Sequence, residues 1–309
     1  MNKLEANLSL LAITFFASIQ YVFLANVPPS VSNFAFMSVT NLVGFLIALA
    51  FFFGELYRLE KKQVLQSLIL AGELFGFNLF LLLGSSGMDA SVVSCVITAY
   101  FMFVPLVMLL LRQKVGKNHC FGVALVLVGV FFVMDADLGK FADIRILYLL
   151  FADALFALYI VTVERFCSKS NPSILAMGQM LFGFLFAFFA WCVEALLKEQ
   201  SLTLPISLSF WSSVLFISLF IRGLYGVVQI YAQRYVSALN TSLIFSTEVV
   251  ITLLVSPLLS RLIGTEPSLI TPLKLIGCIV IVSGVLTADG TLTKMWKRRC
   301  KNETGGHGE

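Results

Sequence analysis

Arg222, Glu73, Asp153 and Glu248 are ionisable side chains set inside long apolar stretches of this 309-residue sequence. A charge held mid-way through a hydrocarbon layer costs about 2.5–3.5 kcal/mol on insertion scales, so each asks for a partner or a task. Tyr225, Gln229 and Gln233 follow Arg222 at three, seven and eleven residues, which on a helix makes one polar stripe. A stripe of this kind belongs against a cavity rather than against lipid. A guanidinium stays charged and holds a carboxylate through two parallel hydrogen bonds, so the chemistry on offer is recognition of an anionic group. The plainer alternative is a permanent ion pair of Arg222 with Glu73 or Glu248, and the sequence leaves both readings open.

Glu73 sits mid-way through its own apolar stretch, where an unpaired buried carboxyl can carry a proton reversibly. Glu248 lies on one helical face with Thr241 and is a candidate for the same task or for gating. Asp153 falls toward the end of its stretch expected to lie outside, where solvation is the expectation. Ser91, Ser94, Thr98 and Pro105 share one side of another stretch, with Tyr100 nearby. Its serines are expected mainly to permit close helix packing, while Thr98 and Tyr100 are candidates to touch a solute. Pro105 removes a backbone donor and can kink a helix at a gate. Gln179, Gln20 and Tyr21 would complete the cavity with uncharged polar groups.

These residues require membrane-spanning helices to position them. Hydrophobic residues make up 59% of the chain and charged residues 12%, with 30 phenylalanines, and the mean hydropathy is +0.95. A soluble domain carries about 25% charged residues, so too little polar material exists to coat a soluble globule. Apolar runs long enough to cross a layer about 30 Å thick number ten. They fall near residues 7–25, 32–53, 65–84, 90–111, 119–135, 145–164, 173–195, 209–233, 238–260 and 270–288. Long continuous runs exclude a transmembrane barrel, whose strands alternate. Breaks between runs carry Pro28-Pro29, Gly84-Ser85-Ser86-Gly87, Asn171-Pro172, and Gly264 with Pro267.

Positive charge fixes the orientation. With the N-terminus inside, fifteen Lys and Arg residues fall in cytoplasmic segments, five in outer loops, and Arg222 alone within a span. Both termini are therefore expected in the cytoplasm. The first run is kept as a span rather than a signal peptide, because residues 22–26 offer a poor cleavage site. Lys297-Arg298-Arg299-Cys300-Lys301, in a basic tail over 291–309, determines topology or touches anionic lipid head groups.

Cys95, Cys120, Cys167, Cys192, Cys278 and Cys300 show no paired spacing, which argues against disulfides and a metal site. His119 and His307 are the two histidines, neither mid-membrane, and no HExxH, phosphate loop or Ser-His pairing occurs. Catalysis is thus the least favoured class. No cofactor, metal or nucleic-acid partner is expected; a small solute, protons and membrane lipids are.

The chain also repeats itself. Gly122 and Gly129 in the fifth run match Gly277 and Gly284 in the tenth, and Ala90–Ser94 aligns with Ala238–Ser242. Five spans is an odd number, so residues 1–137 and 138–290 must enter the membrane from opposite sides as inverted repeats. Such repeats are typical of secondary transporters, whose site lies near the midplane. The repeat offset puts Glu73 near the level of Arg222. The glycines, one face per pair, are expected to let helices approach closely. Two fused halves make a monomer sufficient.

Gln229 to Ala238, followed by Leu243-Ile244 and Glu248, resembles the eighth and ninth helices of EamA-type permeases of the drug/metabolite transporter superfamily. Tyr100 to Leu106 and the two glycine-spaced helices resemble the same family, so the likeness covers nearly the whole chain. It implies an all-α carrier of ten transmembrane helices in a bacterial inner membrane, often an exporter of amino acids or other metabolites. An uncoupled facilitator and a nucleotide-sugar-like antiporter are the alternatives.

Overall fold

The structure is a computed structural model that describes residues 1–25, 27–28, 30–85, 96–97, 99–113, 115–133, 144–199, 201–248, 250–255 and 271–288. Among these residues all regular structure is helical, as a hydrocarbon environment demands of backbone that must satisfy its own polar groups. The helices are α1 (Lys3–Ala25), α2 (Asn33–Phe52), α3 (Lys61–Ser85), α4 (Tyr100–Leu110) and α5 (Lys117–Val133). They continue with α6 (Ile144–Cys167), α7 (Pro172–Leu197), α8 (Leu208–Ala232), α9 (Ala238–Val255) and α10 (Pro272–Ala288). A 3₁₀ turn, Phe53–Arg58, prolongs α2.

Among the described residues six helices are long and apolar enough to cross a membrane: α2 with its turn, α3, α6, α7, α8 and α9. Of the fourth apolar run, Ser91, Ser94 and Thr98 lie outside the described residues, as do Gly264 and Pro267.

Helix starts follow the local sequence. Ser32 caps α2 by accepting from the Phe34 and Ala35 amides at 3.2 and 3.4 Å. Asn171 caps α7 at the Ser173 amide (3.0 Å), with Pro172 in the first turn, where its missing N–H costs nothing. Ser207 does the same for α8 at Phe210. Ala238, the first residue of α9, donates its N–H to the Glu164 carboxylate at 3.0 Å.

Polarity is distributed inside-out. Leu109, Phe121, Phe151, Phe189, Leu215 and Ile279 are exposed, whereas Asn41, Gln66, Gln179, Gln229, Gln233 and Thr241 are buried. α2 packs on α7 and α8, α3 on α6 and α7, α4 on α6, and α1 on α8 and α9, so helices of the two sequence halves intermix.

α5 and α10 pack on each other through the spaced glycines. A Cβ on Gly129 would fall 2.7 Å from the Gly277 carbonyl oxygen, and one on Gly284 would fall 2.8 Å from that of Gly122. The first glycine of each helix thus meets the second of the other, which requires the helices to run antiparallel. Backbone replaces side chain at both contacts.

Candidate functional site

α8 changes its winding at its centre. Ile217–Tyr225 is π-helical, between α-helical segments on either side. An i→i+5 turn is wider and less regular than an α turn, and such segments concentrate at functional sites. Uniform α spacing along this helix was the sequence expectation; the observed widening carries Arg222 in its last turn. Across from it, α2 supplies Gly44, where a Cβ would lie 2.8 Å from the Arg222 Cβ. A larger residue there would collide with the base of the arginine side chain.

A cavity of about 450 Å³ lies at this point. It is walled by α1 (Gln20), α2 (Asn41), α3 (Asn78), α4 (Tyr100), α6 (Tyr159), α7 (Gln179), α8 (Arg222, Tyr225, Gln229) and α9 (Glu248), with Phe36, Phe75, Phe77 and Phe156 between the polar groups. Val27, Asn33 and Ser85 also line it, so it extends toward the end of the bundle where α1 and α3 finish and α2 begins.

At the other end the helices are tied together. The Ser173 and Tyr231 hydroxyls lie 2.6 Å apart, and Arg234 donates to the Cys167 and Ser170 carbonyls, each at 2.7 Å.

The structure brings together seven of the residues singled out by sequence: Arg222, Tyr225, Gln229, Tyr100, Gln179, Gln20 and Glu248. Gln233 is elsewhere. It lies one turn beyond Gln229, where α8 already packs on α6, and its amide donates to the Ile160 carbonyl at 3.0 Å. Glu73 and Pro105 do not line the cavity either. Glu73 Oε1 accepts from Thr162 Oγ1 at 2.9 Å, while its buried Oε2 has no hydrogen-bond partner among the described residues. Pro105 is buried within α4. Thr98 and the side chain of Tyr21 lie outside the described residues.

Among the described residues Arg222 makes no ion pair and its buried Nε has no hydrogen-bond partner. The permanent pair with Glu73 or Glu248, one of the two sequence readings, is therefore not formed here.

Asp153 corrects a second expectation. It is fully buried rather than solvated, and neither carboxyl oxygen has a hydrogen-bond partner among the described residues. The reason is tertiary: α6 is covered by α3 and α4 along this stretch, whereas an isolated span would have left the residue near its end accessible.

Sequence reasoning passed over Asn41, Asn78 and Tyr159, which share no polar stripe with a charged residue. The signal was an amide inside an apolar run. Asn41 Nδ2 donates to Met37 O at 2.8 Å and Asn78 Nδ2 to Leu74 O at 2.6 Å, which leaves each carbonyl oxygen to accept from a solute. Gln229 Oε1 is buried without a partner, and Tyr159 donates to Gln179 Oε1 at 3.2 Å. The cavity thus sets a fixed cation beside acceptor oxygens on an aromatic wall.

A family model described as the EamA-like transporter family matches residues 143–288. That segment is similar to EamA-like transporters. The EamA-like segment takes in α6 to α10 and so supplies Tyr159, Gln179, Arg222, Tyr225, Gln229 and Glu248. This match and the apolar helices support a multi-pass membrane protein. One solved structure, described as "Crystal structure of protein", aligns with a TM-score of 0.71 at 17% identity over 94% of this chain and 98% of its own. That likeness carries the fold beyond the EamA-like segment to nearly the whole chain. No curated protein matches the sequence.

Proposed function

We propose that the protein is an alternating-access secondary transporter of ten spans, arranged as inverted repeats over 1–137 and 138–290 with both termini in the cytoplasm. It exports a small metabolite bearing an anionic group, an amino acid being the reference solute, across a bacterial inner membrane. The observation that carries this reading is the Arg222 guanidinium, set against a cavity without an ion pair among the described residues. Desolvating an arginine is costly unless something meets its charge, and a carboxylate solute would do so through paired charge-assisted bonds.

The antiparallel glycine contact of α5 with α10 supports the inverted repeat, since a two-fold axis across the pair would exchange Gly122 with Gly277 and Gly129 with Gly284. Alternating access is supported by a cavity that extends toward one end of the bundle while polar contacts close the other. Tyr100, Gln179, Gln20, Tyr225 and Gln229 orient the solute. Glu248 gates, and Glu73 exchanges protons. Outward direction follows the family resemblance.

Thermal stabilisation of the purified protein by amino acids, amines, sugars and nucleotides tests the reading. Stabilisation by carboxylate-bearing solutes that disappears in Arg222→Ala is the expected result. Stabilisation that survives the substitution would remove Arg222 from the binding site.

A further inference from the structure

Asp153 is the one aspartate among the described residues; the others are Asp89, Asp135, Asp137, Asp143 and Asp289. It sits inside the membrane-spanning helix α6, 0% exposed, with both oxygens unpartnered among the described residues. Three residues on, Phe156 reaches the cavity wall, and Tyr100 packs edge-on against that ring at 4.8 Å between centroids. Asp153 therefore lies about one helical turn from a residue of the cavity wall.

The helices packed on α6 are α3, α4, α8 and α9. Their titratable and charged groups within the bundle are Glu73, Tyr100, Arg222, Tyr225, Tyr231, Arg234 and Glu248. None of them bonds to Asp153. Glu73 meets α6 at Thr162, nine residues further along. Arg234 is engaged by the Cys167 and Ser170 carbonyls at the closed end. An ionised carboxylate at Asp153 would have neither donor nor cation among the described residues, a situation that proteins avoid by keeping the group neutral. Membrane helices rarely keep such a residue without a task, and proton relay is one of the tasks that intramembrane acids perform.

We propose that Asp153 is a proton-binding site of the transport cycle. It holds a proton as the neutral acid in the state described here and releases it when the bundle rearranges and water reaches α6. The balance is simple: one proton joins the carboxylate from water on one side of the membrane and leaves to water on the other, with no other bond formed or broken. The coupling depends on the transporter reading; the protonation does not.

Infrared spectroscopy of the protein in lipid, with carbon-labelled aspartate, separates Asp153 from every glutamate. At neutral pH we expect a labelled carboxylic-acid band that Asp153→Asn removes and Glu73→Gln retains, and that declines as the pH is raised and the ionised form gains water. Absence of an acid band that depends on Asp153, or a band unchanged as the pH is raised, overturns the proposal, the second outcome marking a static buried acid. Should Asp153→Asn fail to fold, Asp153→Glu serves instead: the titrating band must then move from labelled aspartate to labelled glutamate.

In proteoliposomes containing a pH-sensitive dye, a mixture of the twenty amino acids added to one side should drive proton movement in the wild type. Loss of that movement in Asp153→Asn is expected, and its persistence overturns the coupling role. A titrating band with no amino-acid-driven proton movement in the wild type overturns the coupling while the proton site stands. Loss of solute stabilisation by amino acids, by contrast, bears on Arg222 alone.

Discussion

Gly44 on α2 and Arg222 on α8 meet so closely that a Cβ on the glycine would lie 2.8 Å from the Cβ of the arginine. The contact is to the base of the side chain, which cannot swing aside as a flexible tip can. The Ser218 carbonyl oxygen, 3.4 Å from the same point, closes the other side. Space for the arginine is therefore built into the opposite helix.

Gly44→Ala should displace the π-helical centre of α8 and misplace the guanidinium. Overpacking of this kind costs about 1–3 kcal/mol. A lower melting temperature together with loss of carboxylate-dependent stabilisation is the expected pair of results. A variant that melts lower yet binds normally would show that α8 absorbs the methyl without moving Arg222.

Arg222→Lys keeps the charge but gives up the planar fork that holds two oxygens at once. Binding of a carboxylate solute should weaken by about 10-fold or more, one charge-assisted bond being worth about 1.5–3 kcal/mol. Calorimetric titration of wild type and variant with the solute identified by thermal stabilisation measures the difference. Equal affinities would mean that the cation acts as a point charge.

Gly129→Val should separate α5 from α10, since its side chain would enter the space of the Gly277 carbonyl oxygen and Ile281. A loss of about 1–3 kcal/mol is expected. The cavity is lined by other helices, so solute affinity of the folded fraction should be unchanged. Reduced affinity in well-folded protein would show that the glycine contact reaches the site.

Tyr231→Phe removes the 2.6 Å hydroxyl contact with Ser173 at the closed end while keeping the ring. Losing one hydrogen bond of about 1 kcal/mol shifts a two-state equilibrium by roughly 5-fold. A cysteine introduced at Gln229, below that contact, should be labelled faster from the closed side in the Tyr231→Phe background. Unchanged labelling would place the closure in the Arg234 contacts with the Cys167 and Ser170 carbonyls instead.

Much of the architecture was written in composition. Apolar runs gave helices whose observed limits, such as Ile144–Cys167 and Pro172–Leu197, fall within a few residues of those expected from 145–164 and 173–195. Span length and caps are local properties: about 20 apolar residues must pair their own backbone, and Ser32, Asn171 and Ser207 start their helices by accepting from the first amides. The glycine spacing foretold close packing, because seven residues are nearly two full turns.

Partnership was not written there. Periodicity placed Arg222, Tyr225, Gln229 and Gln233 on one stripe, and the first three reach the cavity while the fourth bonds to Ile160 of a neighbouring helix. Depth along the bundle decides this, and depth depends on where α6 crosses α8. The same holds for Asp153, which a single helix would expose and which α3 and α4 enclose. The sequence by itself determined that this chain is a set of membrane helices carrying a few costly polar groups, since hydrophobicity and helical period are properties of one segment at a time. Which of those groups face each other, which stay unpaired, and where the cavity lies were decided only by the tertiary structure, because each depends on contacts between segments far apart in the chain.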